Sequence, residues 1–173
     1  MMALVSSCSH NDEPTPKPDE PTGKAFKGII FAAGITNPEG NSGSVYMQSL
    51  PDMVPGNYDN SNAIPVGFGT VPIVAKSGNI YVLPDYMGNT KAEITRYRIY
   101  SDNKWHKKGA LQIPPKAAAC CVTELNSEKA YVSLQGLGSI IVFNPTTMTR
   151  IAEIDLNGLK QADTNVSPAS MVI

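Results

Sequence analysis

Short runs of apolar and β-branched residues recur along the chain, and glycine, proline, asparagine and aspartate separate them. Three of these runs, at residues 28–32, 79–83 and 129–133, start 51 and 50 residues apart. Runs of about four to eight such residues bounded by turn formers predict β-strands. The pattern therefore predicts a strand-rich unit that repeats about every 50 residues.

Two further sets of apolar and β-branched runs flank the first set, always in the same order along the chain. A second set follows it at residues 44–47, 94–99 and 139–143. A third set precedes it at residues 71–75 and 118–122 and recurs at 168–173. Outer strands are predicted at residues 105–113, where Gly109 weakens the pattern, and at 150–156, which alternate with period two. Each complete unit thus contains four predicted strands.

Four-stranded units of this length are typical of β-propeller blades. The sequence predicts an all-β fold and a β-propeller fragment of about three four-stranded blades, within residues 25–173. The predicted blades span approximately residues 25–70, 71–115 and 116–166, and residues 167–173 begin the next. Known rings have about four to eight blades, so we expect this chain to be part of a larger ring.

The third unit carries the most specific motif. A strand at residues 129–133 leads to the glycine turn 136–138, then to a strand that ends at Asn144, and then to an outer strand at 150–154. This order resembles the YVTN-type, WD40-like propeller repeat, in which aspartate often stands where this chain has Asn144. The resemblance implies a propeller architecture and specifies no function.

The amino terminus carries a candidate lipidation site. Residues Leu4-Val5-Ser6-Ser7 precede Cys8, and this pattern resembles a bacterial lipobox, which implies a lipid on Cys8 that links the chain to a membrane. Residues 1–8 are then the remainder of a signal segment. A signal peptide needs an apolar stretch of about 7–15 residues, so we expect the natural leader to start further upstream. The alternative is that Cys8 is an ordinary residue of a frayed tail.

Residues 9–24 predict a tether. The segment contains no large apolar side chain and several prolines, which favour extended, solvated conformations. The acidic pair Asp12-Glu13 resembles the export signal of surface lipoproteins. Lipobox, tether and repeat together look like the propeller lipoproteins of Gram-negative gut bacteria. This resemblance implies an outer-membrane-anchored protein of the cell envelope, displayed on the cell surface.

Charge and hydropathy exclude two classes of partner contact. The chain has 14 basic and 15 acidic residues and a net charge of −1, so no basic field would attract nucleic acid. Its apolar runs are much shorter than the roughly 20 residues of a membrane-spanning helix. We therefore expect no nucleic-acid partner, and a membrane link only through the lipid on Cys8.

The motifs of common catalytic and metal sites are missing. The chain has no Gly-x-Ser-x-Gly elbow and no His-Glu-x-x-His helix. Its two histidines, His10 in the tether and His106 on a solvated edge strand, are too few for a zinc site. Residues 57–62 alternate oxygen-bearing side chains as in a calcium loop, but a plain Asx-rich turn explains them better. No catalytic residue or metal site is predicted, and the sequence leaves the identity of any cofactor open.

Cys120 and Cys121 are adjacent on a predicted inner strand, so their side chains should point to opposite faces. We interpret them as two small buried hydrophobic residues. The alternative is a strained vicinal disulfide, which an oxidising compartment would permit.

Propellers commonly bind ligands at the face that carries the links between blades. By this fold-level analogy, Asp85, Tyr86 and Gln135 lie near the mouth of the channel and are the candidate ligand-binding residues. The first hypothesis is a non-catalytic binding or scaffold module for a nutrient, a metal chelate or a partner protein. The rival is a propeller enzyme, a lyase, hydrolase or quinone-dependent oxidoreductase, with its catalytic residues in other blades. A third hypothesis is a purely structural envelope protein.

Overall fold

The computed structural model describes residues 28–36, 42–51, 64–66, 72–84, 92–100, 102, 104–161 and 164–171 of the 173-residue chain. Cys8, the tether, the Asx-rich residues 57–62, and both Asp85 and Tyr86 lie outside these ranges. The predictions made for them therefore remain predictions.

The described residues form eleven β-strands in three antiparallel sheets. The first sheet pairs β1 (Gly28–Thr36), β2 (Ser42–Pro51) and β3 (Ile64–Val66). The second contains β4 (Pro72–Val74), β5 (Ile80–Val82), β6 (Glu93–Ile99) and β7 (Trp105–Gln112). The third contains β8 (Ala119–Glu124), β9 (Ala130–Leu134), β10 (Ser139–Asn144) and β11 (Thr149–Asp155).

Regular helix in the described ranges is confined to one 3-10 turn, Asn157–Leu159. No helix there has the length and apolar character needed to cross a membrane. The predicted all-β fold is thus confirmed for the part of the chain that the structure describes. In each of the second and third sheets, strands that follow one another in the chain are hydrogen-bonded neighbours, so each of these sheets is a four-stranded meander.

The hydrophobic core lies between the second and third sheets. Tyr81 and Leu83 from the second sheet, and Val132 and Phe143 from the third, belong to one cluster of buried side chains. The rings of Tyr81 and Phe143 meet edge to face, with centroids 6.0 Å apart, an arrangement that aromatic pairs prefer. Because one cluster draws on both sheets, the two meanders pack face to face and depend on each other for burial.

Gly109 marks the point where Met148 of the third sheet reaches β7 of the second. A Cβ atom at position 109 would lie 2.9 Å from the Met148 Cγ atom. The pairing of β6 with β7 also shifts register between Arg96 and Tyr97, opposite this glycine. The residue that weakens the strand pattern thus stands where a Cβ atom would crowd the Met148 side chain, and its φ of +153° is one that other residues rarely adopt.

A β-bulge corrects the prediction for the two adjacent cysteines. Ala119 pairs with Leu134 and Cys121 with Ser133, so Cys120 is the extra residue of the bulge. The Cys120 Sγ atom also lies 3.2 Å from the Ser133 Oγ atom. A bulge interrupts side-chain alternation, and both thiols therefore lie on the face opposite the core, contrary to the prediction. Both are free and partly exposed.

Residues 164–171 run beside this face without regular secondary structure. The Cys120 thiol donates to the Pro168 carbonyl oxygen at 3.2 Å, and the Thr123 hydroxyl donates to the Met171 carbonyl oxygen at 3.3 Å. The strand predicted at residues 168–173 is therefore absent from 168–171. The backbone carbonyl groups of Pro168 and Met171 instead contact side chains of β8.

Turn chemistry explains how Asn144 closes the turn between β10 and β11. The Asn144 Oδ1 atom accepts hydrogen bonds from the backbone N–H groups of Thr146 and Thr147, at 2.8 and 3.0 Å. Asn126 makes the same two bonds in the turn between β8 and β9. An amide oxygen accepts such bonds as a carboxylate does, so both turns are closed by the same Asx motif.

Candidate functional site

A cleft of about 520 Å³ lies at one end of the third sheet. Three segments meet there: the link from β7 to β8, the turn from β9 to β10, and the segment after β11. We call it the Gln135 cleft. Its lining residues are Ala118, Gln135, Gly136, Leu137, Gly138, Asn157, Lys160, Asn165, Val166 and Ser167.

Backbone hydrogen bonds hold the first two of these segments together. The Gln135 N–H donates to the Ala118 carbonyl oxygen at 3.1 Å, and the Gly136 N–H donates to the Ala117 carbonyl oxygen at 2.9 Å. Lys116 and Ala118 adopt φ angles of 60° and 46°, a region that residues with a Cβ atom seldom occupy. The link is therefore strained where it contacts the β9–β10 turn, and backbone strain of this kind clusters at functional sites.

Two glycines allow the segments to approach closely. A Cβ atom at Gly138, which has a φ of +63°, would lie 2.9 Å from the Asn157 Oδ1 atom and 3.0 Å from the Val166 carbonyl oxygen. A Cβ atom at Gly136 would lie only 2.2 Å from the Lys116 carbonyl oxygen. The glycine turn at residues 136–138 thus forms the base of the cleft, which we call its floor.

Substitution of Gly136 by alanine is expected to lower the free energy of unfolding by about 1–3 kcal/mol, because the new methyl group would meet a backbone oxygen that has little room to move. Chemical denaturation measures the effect. Gly158→Ala is the matched control, since a Cβ atom there meets nothing within 4 Å. Equal stability of the two variants would contradict the close approach.

Asn157 fastens the segment after β11 to the floor of the cleft. Its Nδ2 atom donates to the Leu137 carbonyl oxygen at 3.2 Å and to the Asp155 Oδ1 atom at 2.7 Å. The Asn157 N–H also donates to that Asp155 oxygen at 2.8 Å. These bonds favour the charged carboxylate, and they hold the pKa of Asp155 below its ordinary value. The Asp155 carboxylate therefore stays ionised at physiological pH and keeps its bonds to Asn157.

The residues that line the cleft are mostly uncharged, and several can form hydrogen bonds. Of its lining residues, Lys160 alone carries a charge, and none is Asp, Glu, His or Cys. Gln135, Asn165 and Ser167 supply amide and hydroxyl groups, which both donate and accept hydrogen bonds. This chemistry suits the binding of a polar, uncharged molecule, and these residues provide no acid–base pair or strong nucleophile.

The structure places one of the three predicted ligand-binding residues. Gln135 is half-buried and lines the cleft, whereas Asp85 and Tyr86 are not among the described residues. Sequence reasoning did not select Asn157. No sequence signal shows that the Asn157 side chain bonds back to Leu137, because that contact depends on how the segment folds over the turn.

His106 belongs to a structural pair on the edge strand β7. Its Nε2 atom lies 2.8 Å from the Asp102 Oδ2 atom, and its ring packs edge to face on Tyr100 with centroids 5.0 Å apart. Bonds from the Lys104 N–H and from His106 lower the pKa of Asp102. Across the described ranges, no three His, Cys, Asp or Glu side chains converge as they would to hold a metal ion.

No protein-family profile, curated protein or solved structure matches this chain. Function is therefore inferred from the residues of the chain and their geometry.

Proposed function

We propose that the chain is part of a β-propeller that acts as a non-catalytic binding module, with the Gln135 cleft as its ligand site. The observation that supports this proposal most is the shared core of the second and third sheets. Consecutive four-stranded meanders that bury their faces against each other are the building principle of a propeller. The length of the repeating unit, about 50 residues, agrees with it.

The position of the cleft also supports a binding role. It lies at the end of the sheets where the β7–β8 link and the β9–β10 turn meet, which in a propeller is the face that carries the links between blades. Its volume of about 520 Å³ falls within the usual range of small-molecule sites. Among the ligands expected from the sequence, its amide and hydroxyl groups favour a neutral, hydroxyl-rich nutrient such as a sugar.

The amino-terminal segment adds a proposed location. A lipid on Cys8, followed by the proline-rich residues 9–24, would tether the module to the outer membrane of a Gram-negative cell with the binding face free. Incorporation of labelled palmitate in such a host, lost in Cys8→Ser, supports the anchor. Equal labelling of the two chains contradicts it.

A nuclear magnetic resonance titration tests the binding role. Neutral mono- and disaccharides are added to the labelled chain, and shifts are expected at Gln135, Asn157 and their neighbours. Gln135→Ala should weaken binding about 3- to 10-fold, the value of one net hydrogen bond. Gln112→Ala, an exposed glutamine on β7, should leave affinity unchanged. Absence of shifts in the cleft contradicts the site, and conversion of the sugar during titration favours the propeller enzyme.

A further inference from the structure

A second cleft, of about 540 Å³, lies at the opposite end of the two four-stranded sheets. The turns β4–β5, β8–β9 and β10–β11 surround it, and strand β6 contributes two arginines. We call it the Arg96 cleft. The residues that define its chemistry are Val74, Lys76, Arg96, Arg98, Glu124 and Leu125.

Positive charge is concentrated in this cleft. Lys76, Arg96 and Arg98 line it with a single carboxylate, Glu124, and every other lining residue is neutral. The lining therefore has a net charge of +2, although the whole chain has a net charge of −1. Like charges gathered in a concave site with low-dielectric walls raise the local concentration of counter-ions. The field of the cleft thus selects for anions.

Neutral acceptors hold the Arg96 side chain in place. Its Nη2 atom donates to the carbonyl oxygens of Thr146, at 3.1 Å, and of Lys108, at 3.3 Å. Its Nε atom is buried and has no hydrogen-bond partner among the described residues. The guanidinium is therefore fixed at the junction of the two sheets while its charge stays without a described carboxylate partner.

Arg98 is held in a similar way. Its Nε atom donates to the Asn79 Oδ1 atom at 3.0 Å, and its Nη2 atom donates to the Ser77 carbonyl oxygen at 3.2 Å. Neither acceptor carries a charge, and no carboxylate of the described residues forms a salt bridge with this guanidinium. Two arginines ordered by neutral groups are preorganised, because a ligand does not have to pay the full entropy of ordering them.

Glu124 forms no described salt bridge with either arginine, and neutral donors occupy its carboxylate. Its Oε1 atom accepts hydrogen bonds from the Tyr81 hydroxyl and from the Asn79 Nδ2 atom, the latter at 2.7 Å. Its Oε2 atom accepts from the Ser77 hydroxyl. Burial, followed by the Glu124 contact, raises the pKa of Tyr81, so that hydroxyl keeps its proton and remains a donor.

We propose that the Arg96 cleft binds the oxyanion group, carboxylate or phosphate, of a small organic acid. Guanidinium groups bind these oxyanions through two parallel hydrogen bonds, which also explains the use of arginine at this position. Val74 and Leu125 line the same cleft and are 59% and 48% exposed, and they provide an apolar surface for the carbon skeleton. The site requires only the second and third sheets, so it is independent of the ring and of the sugar-binding role proposed above.

Titration of the full chain with succinate, phenyl phosphate and inorganic phosphate tests this site. At least one of the three probes is expected to shift the amide resonances of Ser77, Arg96 and Arg98, and its affinity should fall as salt is raised. Lys76→Gln removes an exposed charge and should weaken that binding about tenfold. Lys116→Gln, an exposed lysine at the other end of the sheets that lines neither cleft, should leave it unchanged. Arg96→Lys keeps the charge and loses the two-pronged geometry, so it should weaken binding by a similar factor.

Thermal unfolding of each variant shows whether its fold is retained, and Lys76→Gln keeps the test valid if Arg96→Lys unfolds. Equal weakening by Lys76→Gln and Lys116→Gln would mean diffuse charge attraction and would overturn the site. So would the absence of shifts at the Arg96 cleft with all three probes. Failure here leaves the sugar titration at the Gln135 cleft unaffected, since the two experiments observe different residues.

Discussion

Replacement of Phe143 by alanine is expected to lower the free energy of unfolding by about 3–5 kcal/mol. The side chain is fully buried, and its ring meets Tyr81 of the second sheet edge to face. Its removal leaves a cavity between the two sheets, because a packed core relaxes only in part. Urea denaturation measures the loss through the midpoint and slope of the transition.

Ile151→Ala is the matched control for this prediction. Ile151 lies on β11 in the same sheet but is 54% exposed, so its truncation should cost less than about 1 kcal/mol. A similar loss at both positions would contradict a core shared between the sheets.

Replacement of Glu124 by alanine is expected to cost about 2–3 kcal/mol, the second-largest effect. The carboxylate of β8 accepts bonds from Tyr81 and Asn79 of the second sheet, and both residues are buried. Their donors would lose a charged partner that water replaces poorly. Glu128→Ala, an exposed carboxylate in the following turn, should stay within about 0.5 kcal/mol of the parent.

Alkaline unfolding tests whether the Tyr81 hydroxyl keeps its proton in the folded chain. The pKa of Tyr81 is raised above its ordinary value of 10.0, so the unfolded chain releases this proton at a lower pH than the folded chain. The stabilisation is therefore complete below pH 10 and declines as pH rises above it. Tyr81→Phe should lose this part of the decline. An unchanged alkaline profile would show that burial and the Glu124 contact do not raise the pKa of Tyr81.

The strands were predictable because their periodicity reflects local chemistry. Apolar runs and Asx turns identify β5, β9 and β10 within a residue or two of their observed ends. The bulge at Cys120 was not predictable, because it depends on register with β9. The faces assigned to the two cysteines were wrong for this reason.

The two clefts differ in how much the sequence indicated. The repeat motif pointed to the β9–β10 turn, and Gln135 was selected from it by fold-level analogy. Arg96 and Arg98 are two residues apart on β6 and thus share a face, a signal that pattern analysis could have found. That their charges lack described carboxylate partners depends on contacts with distant residues such as Thr146, which sequence spacing does not encode.

The two clefts occupy opposite ends of the same pair of sheets and differ in charge. The Gln135 cleft has one charged residue, whereas the Arg96 cleft has a net charge of +2. A module with both sites could bind a neutral nutrient at one end and an organic acid at the other without competition between them. Titration of one probe class in the presence of the other measures any coupling as a ratio of affinities.

An experimental structure of the intact gene product, by crystallography or electron cryomicroscopy, tests the central proposal most directly. We expect four-stranded meanders arranged around one axis, with β4 and β8 innermost and β7 and β11 outermost in neighbouring blades. The Tyr81 and Phe143 rings should meet between those blades. A closed sandwich or barrel made by the second and third sheets alone would contradict the propeller.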